Sequence, residues 1–209
     1  MKAFWDERYN SEVYAYGKTP NLYFKEKIDQ LKPGRILLPA EGEGRNAVYA
    51  ASQGWEVFAY DFSEYAYKKA IALAKEKQVE INFQIASLND LDFSEEYFDV
   101  IGLIYVHFPD PIRSSNHKKL VTLLKKGGSV ILEAFSTKHP HYQKLNPQVG
   151  GPKMPFQLYD TLKLTEDFNG LHFHQLEEKE VLLDEGIYHL GKTQVMRLHA
   201  EKKRNELNL

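Results

Sequence analysis

The 209-residue chain contains no cysteine. That excludes disulfides, thiolate catalysis and cysteine metal sites, and it fits a reducing compartment. No run approaches eighteen apolar residues, so no membrane span is expected. Neither charge is in excess: 27 Lys and Arg stand against 29 Asp and Glu, a formal net charge of −2. A nucleic-acid partner calls for a broad basic surface, and none is expected here. There is no internal repeat and no low-complexity linker. The opening residues, MKAFWDERYN, lack an apolar core of signal-peptide length. These absences set the expectation of a soluble, cytoplasmic protein, with the oligomeric state left open.

Hydrophobic residues make up 43% of the chain, enough to fold around a core. The length suits one domain, taken as residues 1–209, with 1–32 as an N-terminal lid and helix and 33–205 as the core. Helices are predicted over Asn21–Leu31, Gly44–Gln53, Ser63–Lys77 (Ser63 as N-cap), Ser114–Leu124 and Thr161–Phe168. Short apolar runs predict strands at Arg35–Pro39, Glu56–Tyr60, Ile81–Ile85, Phe98–Tyr105 and Ser129–Phe135, with a turn at Lys126–Gly128. His172–Leu183 and Lys192–Glu201 read as two longer closing strands joined through Gly186 and Gly191, hence antiparallel. Strands alternating with helices imply right-handed crossovers and a mostly parallel sheet with helices on both faces. In such sheets ligands bind beyond the carboxyl ends of the strands, near the first strand.

At that place the sequence reads LLPAEGEGRN, Leu37 to Asn46. Gly42 to Ala47 fits the loose pattern G-x-G-x-x-A, and Asp61 follows at the tip of the second strand, placed to bind ribose hydroxyls. The same glycines also suit a plain tight turn. Glu41 and Glu43 separate the ligand classes. A diphosphate would meet like charge at short range, whereas the sulfonium and ammonium of S-adenosylmethionine would meet opposite charge. Phe62 can lie on an adenine face, Ser87 and Leu88 can reach the adenine edge, and Ile104 ends the fourth strand at the same crevice. Each of these three apolar residues also suits a core position.

EGEGRNAVYAASQGWEVFAYDFSE, with FWDERY and YGKTPN upstream, resembles class I S-adenosylmethionine-dependent methyltransferases, and within them the tellurite-resistance and thiopurine-type branch. LKKGGSVILEAF resembles that group's fifth strand and LDEGIYHLGKTQVMRLHAEK its last hairpin. The resemblance spans roughly Phe4 to Lys202. It implies a Rossmann-like α/β fold with a seven-stranded sheet whose last strand is antiparallel. It also implies S-adenosylmethionine as cofactor and transfer of its methyl group to a small-molecule acceptor, such as a thiol or a chalcogen oxyanion. Ala40, Glu41, Gly42 and Arg45 then fall at the methionine part, with Tyr16 above them. Relatives usually carry an acid and a glycine where Leu38 and Ala40 stand here, and Glu41 is the expected replacement for that charge. The other readings are a protein of this fold that binds the cofactor or its product without turnover, and a nicotinamide-dependent oxidoreductase.

Methyl transfer from a sulfonium is an in-line displacement that needs alignment and exclusion of water. A base is required only if the acceptor must lose a proton, and no metal is needed. His107, just after the fourth strand, is the candidate for a direct role; a histidine structuring the loop before Pro109 is the plainer one. His189 approaches from the last hairpin. His139 and His141, and His172 and His174, would each share a face if extended, but two histidines make a poor metal site. The aromatic N-terminus (Trp5, Tyr9, Tyr14, Tyr16) is expected to fold over the cofactor or to cover a core edge. Ser136–Tyr159 is expected to wall the acceptor pocket. The paired lysines Lys68-Lys69 and Lys118-Lys119 read as solvated helix faces.

Overall fold

The computed structural model describes residues 2–204; Met1 and 205–209, the outer limits of the domain expected from the sequence, lie outside the described residues. Two helices come first, α1 (Lys2–Tyr9) and α2 (Leu22–Ile28). Then follow β1 (Arg35–Pro39), α3 (Arg45–Ser52), β2 (Glu56–Asp61), α4 (Glu64–Lys77), β3 (Asn82–Ile85), β4 (Phe98–Ile104) and α5 (Asp110–Leu123). The chain closes with β5 (Leu124–Phe135), α6 (His139–Leu145), α7 (Thr161–Asp167), β6 (Leu171–Glu185) and β7 (His189–Lys202). The seven strands form one sheet in the order β3-β2-β1-β4-β5-β7-β6. β1 to β5 pair in parallel, and β7 runs antiparallel to both β5 and β6.

The central strands are buried on both faces, which is why they read as unbroken apolar runs. On one face Ile36 and Leu38 of β1 and Val100 of β4 pack with Tyr23, Phe24 and Ile28 of α2 and Ala47 and Ala50 of α3. On the other, Leu37, Ile101, Leu103 and Leu132 meet Leu120, Leu164 and Phe168. α2 has seven residues and is too short to persist alone. Tyr23, Phe24 and Ile28 are each at most 1% exposed, and burying such side chains stabilises by about 1.5–3 kcal/mol apiece.

Several boundaries differ from the sequence reading. Asn21 caps α2 from outside, its side chain accepting from the Phe24 N–H, and the helix stops at Ile28 rather than Leu31. α5 starts at Asp110, not Ser114, because Pro111 sits in its first turn, where a missing N–H costs nothing. Lys126–Gly128 lies inside β5 instead of forming a turn; Gly127 takes φ +78°, and the β4–β5 register shifts between Phe98 and Val100. His139 and His141 are on helix α6, so they do not share a strand face. Ser136–Tyr159 is not irregular throughout, since it holds α6 and two 3₁₀ turns. The N-terminal helix α1 had no periodic signal.

α3 lies close against α4 at Gly44. That residue has φ +85°, and a Cβ on it would lie 2.6 Å from the Ala70 Cβ and 2.8 Å from its Cα. Gly44→Ala therefore combines a left-handed backbone with overpacking, each worth roughly 1–3 kcal/mol. A fall in melting temperature of about 6–12 °C is expected if about 3 kcal/mol is lost. An unchanged thermal unfolding curve would show that the α3–α4 contact is looser than described.

Candidate active site

β1 ends at Pro39 and the chain turns at once. Ala40 takes φ +48°, Gly42 +65° and Gly44 +85°. A second non-glycine residue with positive φ, Tyr105 at +55°, follows the end of β4. The carboxyl ends of two adjacent central strands thus each carry a side chain in the left-handed region, a strain that persists where surrounding structure enforces it.

The two glutamates of the glycine loop have internal partners. α3 begins after Gly44, which has no side chain to cap it. Glu41 does so instead: its Oε1 accepts from the N–H groups of Asn46 (2.9 Å) and Ala47 (2.8 Å). Burial pushes its carboxyl up from 4.5 to about 7, against the pull of these donors. Glu43 accepts from the Ala15 N–H at 2.7 Å and pairs with Lys69 of α4 at 2.7 Å. Burial raises its carboxyl as well, opposed by Lys69. The expectation that Glu41 stands in for a charge facing the ligand meets a different arrangement: both its oxygens point to the start of α3.

Asp61 is buried at the tip of β2. Its Oδ2 accepts from the Gly42 N–H (3.1 Å) and its Oδ1 from the Ser63 N–H (2.9 Å), and burial lifts it to about 6. Phe62 beside it is half-buried. The third-strand loop arrives through the Ala86 N–H, which donates to the Asp61 carbonyl at 3.0 Å. Ser87 is exposed, and its hydroxyl and N–H both donate to Asp90. Leu88 turns into the core cluster that includes Tyr60. Ile104 is half-buried against the opposite cluster. Tyr16, Ala40–Arg45 and Asp61 are brought together, with Phe62 and Ser87 flanking them.

A roof of two segments covers this loop. The N-terminal segment docks through Asp6 on the Ser63 hydroxyl (2.6 Å) and the Tyr14 hydroxyl on the Lys69 carbonyl (2.9 Å). Tyr9 stacks on Trp5 at 5.4 Å, and its hydroxyl lies 2.8 Å from where a Cβ on Gly42 would be. The β6–β7 hairpin closes from the other side, with the Ile187 N–H donating to the Ala15 carbonyl at 3.0 Å. Arg45 ties loop to roof: one nitrogen donates to the Tyr16 carbonyl (3.1 Å), another pairs with Glu185 (3.0 Å).

His107 is committed elsewhere. Its Nδ1 lies 2.7 Å from the Gln157 carbonyl and its Nε2 takes the Phe135 N–H at 3.4 Å. The ring stacks between Phe135 and Tyr159, and burial lowers it to about 3. In this arrangement neither nitrogen is available to an incoming molecule, and the histidine structures the loop after β4. Sequence reasoning missed a buried polar network beside it. Glu133 of β5 receives the Asn21 amide (2.7 Å), the Tyr105 hydroxyl (3.1 Å) and Arg197 of β7 (2.6 Å). The Asn21 amide also donates to Glu185 at 2.9 Å. A cavity of about 280 Å³ opens beside it, lined by Asn21, Glu133, Glu185 and Arg197 among others. A single carboxylate inside the apolar run SVILEAF was the available signal.

Residues 36–128 match the sequence profile of a family described as methyltransferase domain, less than half of the chain. This segment is similar to a methyltransferase domain. It runs from β1 into β5 and holds the glycine loop, Asp61 and Tyr105. The chain is 29% identical over 155 residues to the ubiquinone/menaquinone biosynthesis C-methyltransferase UbiE of Geotalea daltonii, covering 66% of this chain and 64% of that protein. The aligned segment thus spans just under two thirds of that relative. Among solved structures, TehB from Haemophilus influenzae superposes with a TM-score of 0.70 at 17% identity, covering 97% of this chain and 67% of that one. A SAM-dependent methyltransferase from Methanosarcina mazei also gives 0.70, at 18% identity, covering 88% and 99%. These likenesses establish the Rossmann-like methyltransferase fold, with its reversed seventh strand.

The Glu41 carboxyl keeps its proton in the folded state up to about pH 7 and in the unfolded chain only to about 4.5. The folded state therefore binds more protons between these values, and stability falls as pH rises through them. Glu41→Gln keeps an oxygen for the Asn46 and Ala47 N–H groups but cannot ionise. Its melting temperature relative to wild type should climb between about pH 4.5 and 7 and level off above. A difference that does not vary with pH would mean that Glu41 titrates normally.

Proposed function

We propose that this protein is an S-adenosylmethionine-dependent methyltransferase acting on a small-molecule acceptor, built as one domain. The observation that carries the reading is Asp61, buried at the tip of β2 and hydrogen-bonded to the glycine turn through the Gly42 N–H. Each of its oxygens takes one backbone N–H. A carboxylate has about four acceptor positions, so two remain for a pair of ribose hydroxyls. Gly42 has no Cβ, and the Tyr9 hydroxyl, 2.8 Å from where one would be, fills that space, so a ligand seated on the glycine turn displaces Tyr9. Around the loop Glu43, Asp61 and Glu185 stand with Arg8, Arg45 and Lys69, and Glu41 keeps its proton to about pH 7, so a diphosphate would meet no surplus of positive charge. The residues present thus fit the cofactor.

When bound, the cofactor supplies an electrophilic methyl group on a sulfonium. The chain's part is to hold and align. Asp61 would take the ribose. Ala40, Gly42 and Arg45 would bound the methionine part, with Tyr16 above. Phe62 and Ser87 would frame the adenine, Ser87 after giving up its bond to Asp90, while Leu88 and Ile104 serve the cores on the two faces of the sheet. Glu41 acts through the shape of the loop. The roof of N-terminal segment and hairpin excludes water. The finer placement in the tellurite-resistance and thiopurine-type branch rests on the aromatic N-terminus and the last hairpin.

The test is a thermal shift with S-adenosylhomocysteine, beside NAD, on wild type and Asp61→Ala. At a hundred times its dissociation constant the product stabilises by about 2.7 kcal/mol, or roughly 5–11 °C in a chain of this size. The shift should be absent with NAD and lost in Asp61→Ala. No shift in folded, ligand-free wild type rules the cofactor out.

A further inference from the structure

Eight histidines occur in the chain, and their surroundings sort them. His107 has both nitrogens bonded. So does His139, to the Thr193 hydroxyl (2.6 Å) and the Gly150 carbonyl (2.9 Å). The Nε2 atoms of His117 and His199 are sealed without a partner. His141, His172 and His174 lie on α6 and β6, away from the glycine loop. His189 differs from all of these. It opens β7, beside the turn at the tip of the hairpin that extends past the Phe135–Val195 pair and folds over the N-terminal segment. Its side chain is 5% exposed. Its Nδ1 lies 3.1 Å from Glu185 Oε2. Its Nε2 has no hydrogen bond among the described residues, yet it is not one of the sealed ring nitrogens.

The ring sits among aromatics, with centroids 4.5 Å from Tyr16, 4.5 Å from Tyr105 and 5.2 Å from Phe135. Tyr16 belongs to the roof above the glycine loop, and Tyr105 is the strained residue at the end of β4. A carboxylate accepting from Nδ1–H fixes the tautomer whose lone pair is on Nε2. Glu185 is suited to this. Burial works against its charge, but Arg45 and His189 hold its carboxyl at about 2. The histidine itself is lowered by burial and by Arg45 and Arg8, partly offset by Glu185, so its ring is neutral and the Nε2 lone pair is unprotonated.

We propose that His189, oriented by Glu185, is the proton acceptor for a neutral planar acceptor bearing a phenolic or enolic hydroxyl, which docks with that hydroxyl at the free Nε2 edge of the ring. The proposal rests on the methyltransferase reading above and narrows its acceptor. The hydroxyl oxygen attacks the methyl carbon, and the carbon–sulfur bond breaks with its electron pair leaving on sulfur as a neutral thioether. The hydroxyl proton passes to Nε2, and Glu185 offsets the charge of the resulting imidazolium. An oxyanion acceptor suits this place poorly, because Glu133 and Glu185 both lie within the same polar network.

The test uses the full chain saturated with S-adenosylhomocysteine and 4-nitrophenol as probe. The groups facing His189 are Glu185, Arg45 of α3, Arg8 of α1, Tyr16, Tyr105, His107 and His139. Nitrogen-15 spectra of the histidine rings should show His189 protonated on Nδ1 and bare on Nε2, with the Nε2 signal moving when the probe is added. At a pH where the free probe is un-ionised, its absorbance should shift on binding as its hydroxyl hydrogen-bonds to Nε2, and that shift should be lost in His189→Gln. Retention of the S-adenosylhomocysteine thermal shift in His189→Gln shows that the variant folds and that the cofactor site is intact. Should that variant fail to fold, Glu185→Gln provides the second reading, with the His189 signal moving to a mixture of tautomers. A proton on Nε2 in wild type, a probe that leaves the His189 signals unmoved, or an undiminished absorbance shift in His189→Gln overturns the proposal. Loss of the thermal shift in wild type overturns the cofactor reading instead, and that outcome is seen before any probe is added.

Discussion

One side-chain amide holds three parts of the molecule in register. Asn21 accepts from the Phe24 N–H to start α2, and its own N–H donates to Asn46 of α3 at 2.9 Å. Its amide nitrogen donates to Glu133 in the middle of the sheet and to Glu185 in the closing hairpin. The residue is 2% exposed, so none of these bonds is exchanged cheaply for water. Two buried carboxylates on different elements are tolerated because one neutral amide lies between them and Arg197 and Arg45 flank them. Losing one partner of such a network leaves the other charge uncompensated. The position of the hairpin over the glycine loop depends on that balance.

The sheet and its crossovers were legible because their signal is short-range. Apolar runs such as RILLP and VIGLI are buried on both faces, and the helices between them begin at ordinary caps, Ser63 among them. Where elements differ from their sequence signal, tertiary context outweighs a local punctuator. α5 begins at Asp110 with Pro111 in its first turn, which tolerates proline. Gly127 and Gly128 suggested a turn, although β5 carries them through with a shifted register. α1 has no apolar periodicity because it packs through a few aromatics on one small surface, not along a stripe.

The candidate site was legible where backbone geometry dictates residue type and illegible where side chains choose among partners. Asp61 and the glycines follow from strand-tip position and positive φ. The glutamates did not, since a carboxylate beside a glycine turn can face a ligand or the helix behind it. Glu41 serves α3, and Glu43 serves Lys69 and Ala15. The histidines show the same limit. His107 and His189 both sit near strand ends in sequence, and only the structure shows that the first spends both nitrogens on backbone while the second keeps one free.

The Tyr9 hydroxyl resting on Gly42 has a kinetic consequence. α1 has eight residues, below the length at which a helix persists alone in water. It is helical because it is docked, through Trp5, Tyr9 and the Asp6–Ser63 bond. Anything that approaches Gly42 from above displaces Tyr9 and takes away part of that docking. Folding of residues 2–9 and occupancy of the glycine turn are therefore competing processes, and the observed affinity of any molecule seated there includes the free energy of unwinding this helix or of docking it again elsewhere.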